Sequence, residues 1–265
     1  MTESTPKVNG YLADTTNKIV LWYRKNRKVY YFFQINYSNR EEEIILGAKF
    51  YGRISSDRCD ISPDGRYFVY FAMGMSTTTG KPERSCWTAV CQPPKITADV
   101  FLEQPDTWGT GGRFVDDRTV YVSYGAAPQY DTTKDMYFKD LRITFQPPLA
   151  DEDGISHGWS SADGPDTAAL VWQKERWGIF LRRKYRRYNP GKTGSFDAFQ
   201  YTLWVVDRKI ELEFEGIAVQ WADFDNLDRL VCGHGPFIVF YSELKEVLEK
   251  NPMRIINLED YIKEK

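Results

Sequence analysis

Short apolar runs alternate along the chain with polar turns that are rich in Asp, Gly and Asn. The unit is clearest in ISPDGRYFVYF, residues 61–71. Pro63 presets φ for a turn, Asp64 can accept hydrogen bonds from backbone N–H groups two residues on, and Gly65 tolerates positive φ. The run RYFVYFAMG is apolar at consecutive positions, which predicts a strand buried on both faces.

The same arrangement of acidic turn and apolar strand recurs about every 50 residues. The five turns lie at Asp14, Asp64, Asp116, Asp163 and Asp225. A second strand-like run follows in each unit: KVYYFFQIN, CWTAVCQ, MYFKDLRITF, FQYTLWVVD and FIVFYS. Further strands are predicted in EEIILGAKF, ITADVFLE and KIELEFEG, and short ones before the turns in RCDIS and AVQWAD. Each unit therefore predicts an antiparallel sheet of about four strands.

Radial repetition of small antiparallel sheets is typical of β-propellers. The turn ISPDGRYFVYF resembles the Ser-Pro-Asp-Gly turn of TolB-type and WD-repeat-like propellers. The resemblance implies a rigid binding platform, and it carries over no functional residues because such propellers host many unrelated activities. We predict an all-β chain that forms a single β-propeller domain over residues 1–265, with five blades or, alternatively, six. One short helix is expected near the C-terminus in residues 242–251, capped by Ser242.

Composition narrows the class of protein. The net charge of -2 argues against a globally basic nucleic-acid binder, and the aromatic share of 15% favours strands. No run approaches the roughly 18 to 20 apolar residues that span a bilayer, and the polar start lacks a signal-peptide core. We therefore expect a cytoplasmic protein without membrane contact. Its four cysteines are too few for a disulfide framework and predict reduced thiols.

The strongest local anomaly is the basic segment, ERWGIFLRRKYRRYNPGKTGS, residues 175–195. Cations on both faces of a strand cannot be buried, so we expect this segment to project as a long hairpin arm or loop. It supplies the candidate partner-binding residues: Arg176, Arg182, Arg183, Lys184, Tyr185, Arg186, Arg187, Tyr188 and Lys192. Guanidinium groups pair with phosphate and carboxylate oxygens, and aromatic rings stack on bases. A solvated hairpin balanced by nearby acids is the alternative interpretation.

Other motifs are incomplete. NPGKTGS lacks the upstream glycine and the following helix of a phosphate-binding loop. GWSSADG has Ala162 where a nucleophile elbow needs glycine, so Ser160 is predicted to be a turn residue. Cys86 and Cys91 have the wrong spacing for a zinc site and are expected in the core. His157 and His234 are expected to bond between blades.

The recurrent Asp residues are expected to bond within their own turns, although a ring of carboxylates could bind a cation or act on a sugar. The leading prediction is a binding or scaffold protein that mediates protein–protein interaction. One alternative is a nucleic-acid or phosphate-ligand binder that uses the basic segment. A second is a carbohydrate-active or sugar-binding five-bladed propeller. The sequence favours a non-enzymatic role while leaving enzymatic activity open, and no cofactor or catalytic residue is predicted.

Overall fold

The structure is a computed structural model that describes residues 5–76, 83–104, 111–123, 131–146, 156–162, 171–185, 199–206 and 208–262. Within these ranges the chain forms five sheets of four or five strands, one two-stranded hairpin and one short α-helix. The prediction of an all-β fold built from small, mostly antiparallel sheets is therefore confirmed. No helix in the described ranges is long and apolar enough to cross a bilayer.

The first two sheets are antiparallel meanders in chain order. The first contains β1 (Lys7–Leu12), β2 (Lys18–Arg24), β3 (Val29–Tyr37) and β4 (Glu42–Tyr51). The second contains β5 (Arg53–Ile61), β6 (Phe68–Ser76), β7 (Glu83–Cys91) and β8 (Val100–Gln104). Consecutive residues of β6 from Phe68 to Ala72 are buried, as the run of apolar residues predicts.

The third sheet departs from the meander. It contains β9 (Gly112–Asp116), β10 (Thr119–Ser123), β11 (Met136–Phe138) and β12 (Leu141–Gln146). β12 lies between β10 and β11 and pairs parallel with β10. The sequence prediction of one strand in MYFKDLRITF is wrong, because the chain reverses at Lys139, whose φ is 53°, and Asp140.

The fourth sheet has five strands. They are β13 (Ser160–Ser161), β14 (Val171–Arg176), β15 (Ile179–Tyr185), β16 (Phe199–Val205) and β17 (Arg208–Ile210). A separate hairpin of β18 (Glu213–Phe214) and β19 (Ile217–Ala218) follows. The run KIELEFEG is thus split between two sheets rather than forming the single strand predicted for it. β18 and β19 are joined by a tight turn at Glu215 and Gly216, which both have positive φ.

The fifth sheet is again a meander and carries the helix. It contains β20 (Trp221–Phe224), β21 (Leu230–His234), β22 (Phe237–Tyr241) and β23 (Arg254–Asn257). The helix α1 (Leu244–Leu248) lies between β22 and β23, close to its predicted position. Its N-cap is Glu243 without a side-chain cap bond, so the prediction of Ser242 as the cap is wrong. The Ser242 backbone N–H instead donates to Glu246.

Apolar clusters fill the spaces between neighbouring sheets. Buried residues of β2, β3, β5 and β6 form a cluster between the first and second sheets. Another joins β6, β7 and β8 to β9, β10 and β12, and so links the second and third sheets. The largest cluster joins the first, fourth and fifth sheets. Burial of both faces of these small sheets supplies the main driving force for the fold.

The first and last sheets pack directly on each other. The Gln220 side chain accepts hydrogen bonds from the backbone N–H groups of Val8 (2.9 Å) and Gly235 (3.1 Å). Trp221 lies over the backbone of β1 at Gly10, where an added Cβ would come within 2.7 Å of the indole ring. Gly10 is therefore required by the close approach of two sheets that lie at opposite ends of the chain.

Replacing Gly10 with Ala is expected to destabilise the protein by roughly 1–3 kcal/mol, because the buried Trp221 ring must shift to admit a methyl group. Chemical denaturation measures the free energy of unfolding. The double variant Gly10→Ala, Trp221→Leu should lose less than the sum of the two single variants, since the smaller side chain relieves the clash. Additive losses would show that the two residues do not meet.

Candidate functional site

A cavity of about 100 Å³ lies where residues from all five sheets converge. β1, β5, β9 and β20 contribute to its wall, and the fourth sheet contributes through β15, β16 and the segment just before β13. Five lining side chains are aromatic: Tyr11, Trp159, Phe199, Tyr201 and Trp221. Six others are Asp, Arg or His residues: Asp57, Asp60, Arg113, His157, Arg183 and Asp223. We refer to this space as the axial cavity.

His157 contacts two carboxylates in the cavity wall. Its Nδ1 lies 2.9 Å from Asp14 Oδ1, and its Nε2 lies 2.6 Å from Asp60 Oδ1. The residue has a φ of 59°, a left-handed backbone conformation that aims the ring between the two carboxylates. Burial alone would lower the pKa of His157, but the charges and hydrogen bonds of Asp60 and Asp14 outweigh it and raise the pKa to about 10. The ring is therefore an imidazolium at neutral pH.

The same network reaches the third sheet. Asp60 Oδ2 accepts a hydrogen bond of 2.8 Å from the backbone N–H of Phe114 in β9. Asp14 follows β1, Asp60 belongs to β5, and His157 precedes β13. Together with the Phe114 backbone N–H of β9, this cluster joins the first, second, third and fourth sheets. The prediction that His157 bonds between sheets is confirmed.

A second polar cluster joins the fourth and fifth sheets. Lys174 Nζ lies 2.6 Å from Asp223 Oδ1, and both side chains are largely buried. The indole N–H of Trp159 donates to the other oxygen of Asp223 at 3.3 Å. Asp223 is thus held by a cation and a neutral donor, and the cavity wall is fixed at this point.

Three aromatic rings surround the guanidinium group of Arg183. Its guanidinium carbon lies 4.3 Å from the centroid of Trp159, 5.0 Å from Phe199 and 5.4 Å from Trp172. A guanidinium over ring faces is attracted by their quadrupoles, and its N–H groups point outward in the plane of the group. Burial raises the pKa of the neighbouring Tyr201 even though Arg183 acts to lower it. The Tyr201 hydroxyl is therefore neutral at physiological pH.

The predicted basic segment is only partly a projecting arm. Residues 179–185 form β15, which is paired on both sides by β14 and β16, so the expectation of a projecting segment is wrong there. We expected that cations on both faces of a strand could not be buried. Arg183 nevertheless lies on an inner face of β15, because its guanidinium stacks on aromatic rings there. Arg182, on the opposite face of β15, stacks on Trp204 at 4.8 Å.

The remaining candidate residues are dispersed. Arg176 bonds Asp228 at 3.0 Å on the surface, and Lys184 is exposed at the end of β15. Tyr185 is described only through its backbone pairing with Phe199. Arg186, Arg187, Tyr188 and Lys192, and the motif NPGKTGS with them, lie outside the described residues. Among the nine candidates the structure places Arg183 alone in the axial cavity wall, within the part of the chain it describes.

The recurrent Asp residues are all expected to bond within their own turns, and the structure confirms this for three of the five. Asp64 accepts from the backbone N–H of Arg66, Asp116 from that of Arg118, and Asp225 from that of Leu227. Asp14 is held by His157, and Asp163 lies outside the described residues.

Neighbouring turns also bond to one another. The Asn226 side chain donates to the carbonyls of Ala13 and Thr16, and Thr16 in turn donates to the carbonyl of Asp64. Arg118 continues the series with a 2.6 Å ion pair to Asp64. The fifth, first, second and third sheets are thus tied in sequence through their turns.

The remaining residues singled out in the sequence are buried or bonded within the sheets. Ser160 lies in the short strand β13 rather than in a turn, and its hydroxyl donates to the carbonyl of Gln173. His234 is buried, bonds the carbonyl of Ile217 through Nδ1, and has its pKa lowered to about 4 by burial. All four cysteines are free, as predicted, and all are buried, which was predicted for Cys86 and Cys91. The described residues contain no group of three or more His, Cys, Asp or Glu arranged to hold a metal ion.

Sequence motifs do not identify most of the residues that line the cavity. Asn9, Asp60, Arg113 and Asp223 have one property in common: each is a polar residue in the strand that precedes an acidic turn. That position is the signal from which they could have been found. A scan against protein-family models and a search of curated proteins both gave no match to this chain.

Proposed function

We propose that the five sheets are the blades of one closed β-propeller. The blades would be β1–β4, β5–β8, β9–β12, β14–β17 and β20–β23, with β13 as an extra strand at the inner edge of the fourth. The packing of the last sheet on the first through Gln220 and Trp221 supports closure of the ring. The convergence of all five sheets on one cavity supports five blades rather than six, since β18 and β19 form only a two-stranded hairpin.

The function that the geometry supports best is binding of a small ligand in the axial cavity. The observation that carries this proposal is the composition of the wall, in which aromatic rings and fixed charged groups converge on one space. Asp60 accepts hydrogen bonds from two groups and Asp223 from three, which suits a rigid wall better than proton transfer. The protein would then act as a rigid receptor in which five sheets hold the contact groups in place.

A thermal-shift screen with a chemically diverse set of small molecules tests this function. A ligand that binds the folded state raises the melting temperature by mass action. We expect hits that stabilise the wild type and the Arg182→Gln variant but lose most of their effect in Arg183→Gln, because adjacent residues of β15 point to opposite faces. Hits that act equally on both variants, or no hits at all, would contradict a ligand site in the cavity.

Binding of a protein partner is the second candidate. Its support is a set of large apolar side chains exposed on the outermost strands: Tyr51 on β4, Phe101 on β8 and Ile255 on β23. Such residues are suited to contact with another protein surface. A nuclease-resistant partner that co-purifies with the wild type and is lost from a variant with serine at these three positions would support it. Retention of the partner by that variant would place the contact elsewhere. A role of residues 176–192 in binding polyanions stays a prediction.

A further inference from the structure

We propose that the axial cavity binds a neutral polyhydroxylated molecule, a single sugar ring or a polyol of similar size. This inference rests on the proposed ligand-binding function and adds the chemical class of the ligand. Four properties of the cavity support this ligand class: its charge balance, its hydrogen-bonding groups, its aromatic wall and its size.

The charges of the wall balance within the described residues. Three carboxylates, Asp57, Asp60 and Asp223, line the cavity together with three cations, Arg113, Arg183 and the imidazolium of His157. Two ion pairs made by this set add one charge of each sign, Asp14 on His157 and Lys174 on Asp223. An ionic ligand would leave this balanced site with one uncompensated charge, and burying a charge without an opposite partner costs free energy. A neutral ligand avoids that cost.

The wall offers donors and acceptors side by side. An ionised carboxylate has about four acceptor positions and a guanidinium has five N–H donors. In the described contacts Asp60 accepts one hydrogen bond on each oxygen, so further acceptor positions remain. Arg183 and Asn9 supply donors on other parts of the wall. Hydroxyl groups donate and accept at once, and a molecule with several of them matches a wall that mixes both kinds.

Aromatic side chains provide the complementary apolar surface. Tyr11, Phe199 and Trp221 belong to three different sheets and line the cavity between the charged groups. The C–H face of a sugar ring is apolar and packs on such side chains, while the hydroxyl groups at its rim reach the polar ones. The cavity volume of about 100 Å³, where one water needs roughly 10–15 Å³, gives room for a ligand of one ring.

Titration calorimetry with matched sugars tests the ligand class. The neutral probes are glucose, galactose and inositol; the charged probes are glucuronate, glucose 6-phosphate and glucosamine. We expect at least one neutral probe to bind at least about tenfold more tightly than each of the three charged probes, and Arg183→Gln to weaken that binding at least about tenfold. Arg182→Gln is the matched control and should change the affinity less than about twofold.

A second cavity variant, Arg113→Gln in β9, keeps the test decisive if Arg183→Gln fails to fold. Tighter binding of an anionic probe, lost in the same cavity variants, would overturn the neutral class and leave a ligand site. Failure of every sugar and polyol, while other compounds stabilise the wild type through Arg183, would overturn this inference and leave the proposed function intact. Failure of all compounds in both experiments would overturn both.

Discussion

Replacing Arg229 with Met is expected to destabilise the protein by about 3–5 kcal/mol. Arg229 is buried between the first and fifth sheets, where its Nη1 lies 3.1 Å from Glu42 Oε1 and its Nε lies 2.8 Å from Asp225 Oδ2. Both carboxylates are also buried, so loss of the guanidinium leaves two acidic groups without this counter-charge in a site of low polarity. Denaturant unfolding at neutral pH measures the loss.

The pH dependence identifies the cause of that loss. Burial raises the pKa of Asp225 and Arg229 opposes the shift, so the carboxyl should be protonated more readily without its partner. The difference in stability between wild type and Arg229→Met should therefore shrink as the pH falls towards the acidic range. A difference that stays constant with pH would point to lost packing on Tyr37 and Phe240 rather than to unpaired charge.

Arg254 supplies the matched control. Its Nε lies 3.0 Å from the second oxygen of Glu42, but its side chain is 52% exposed, against 6% for Arg229. Arg254→Met should cost about 1 kcal/mol or less, because solvent screens its half-exposed guanidinium and Glu42 keeps its buried partner Arg229. Equal losses in the two variants would show that burial does not decide the strength of these contacts. Adding Glu42→Gln and Asp225→Asn to Arg229→Met should recover much of the stability.

Local chemistry was sufficient to predict most of the sheets. The turn residues and the apolar runs define β2, β3, β6, β7, β16 and β22, because each has both faces or one whole face in the core. The errors occur where pairing is decided by distant chain segments. The parallel pairing of β12 with β10 and the transfer of Glu213 to a separate hairpin depend on neighbours that periodicity does not contain.

The candidate site was predicted less well, for a related reason. His157 is 143 residues from Asp14 and 97 residues from Asp60 in the chain, so their cluster has no spacing that a motif could match. The basic segment attracted attention because its charges are adjacent in sequence. Only Arg183 among its described residues faces the cavity, and the rings around it come from residues 159, 172 and 199.

The stability of the wild type is expected to fall by roughly 2–3 kcal/mol between pH 6.5 and 8.5 because of His157. The pKa of this imidazole rises from an ordinary value of 6.5 to about 10 on folding. A raised pKa gives stability that is complete below pH 6.5 and is lost as the pH rises towards 10, at up to about 1.4 kcal/mol per pH unit. Denaturant unfolding in a series of buffers at constant ionic strength measures the slope.

The pH window isolates His157 from other titrating groups. Burial raises the pKa values of Cys59, Cys91 and Cys232, so these thiols reduce stability only near and above their ordinary value of 9. His234, with a pKa lowered to about 4, acts below pH 6.5. The slope between pH 6.5 and 8.5 therefore reports the imidazolium held between the two carboxylates.

His157→Asn is the variant that removes the charge while keeping a residue that tolerates the left-handed backbone. It should lose on the order of 3–5 kcal/mol at pH 6 and show a flat profile between pH 6.5 and 8.5. Because the loss at pH 6 and the loss of slope have the same origin, the two proteins should converge in stability as the pH approaches 10. A wild-type profile as flat as that of the variant would mean that the ring is neutral and that Asp14 and Asp60 do not hold its proton. A slope present in both proteins would assign it to another group.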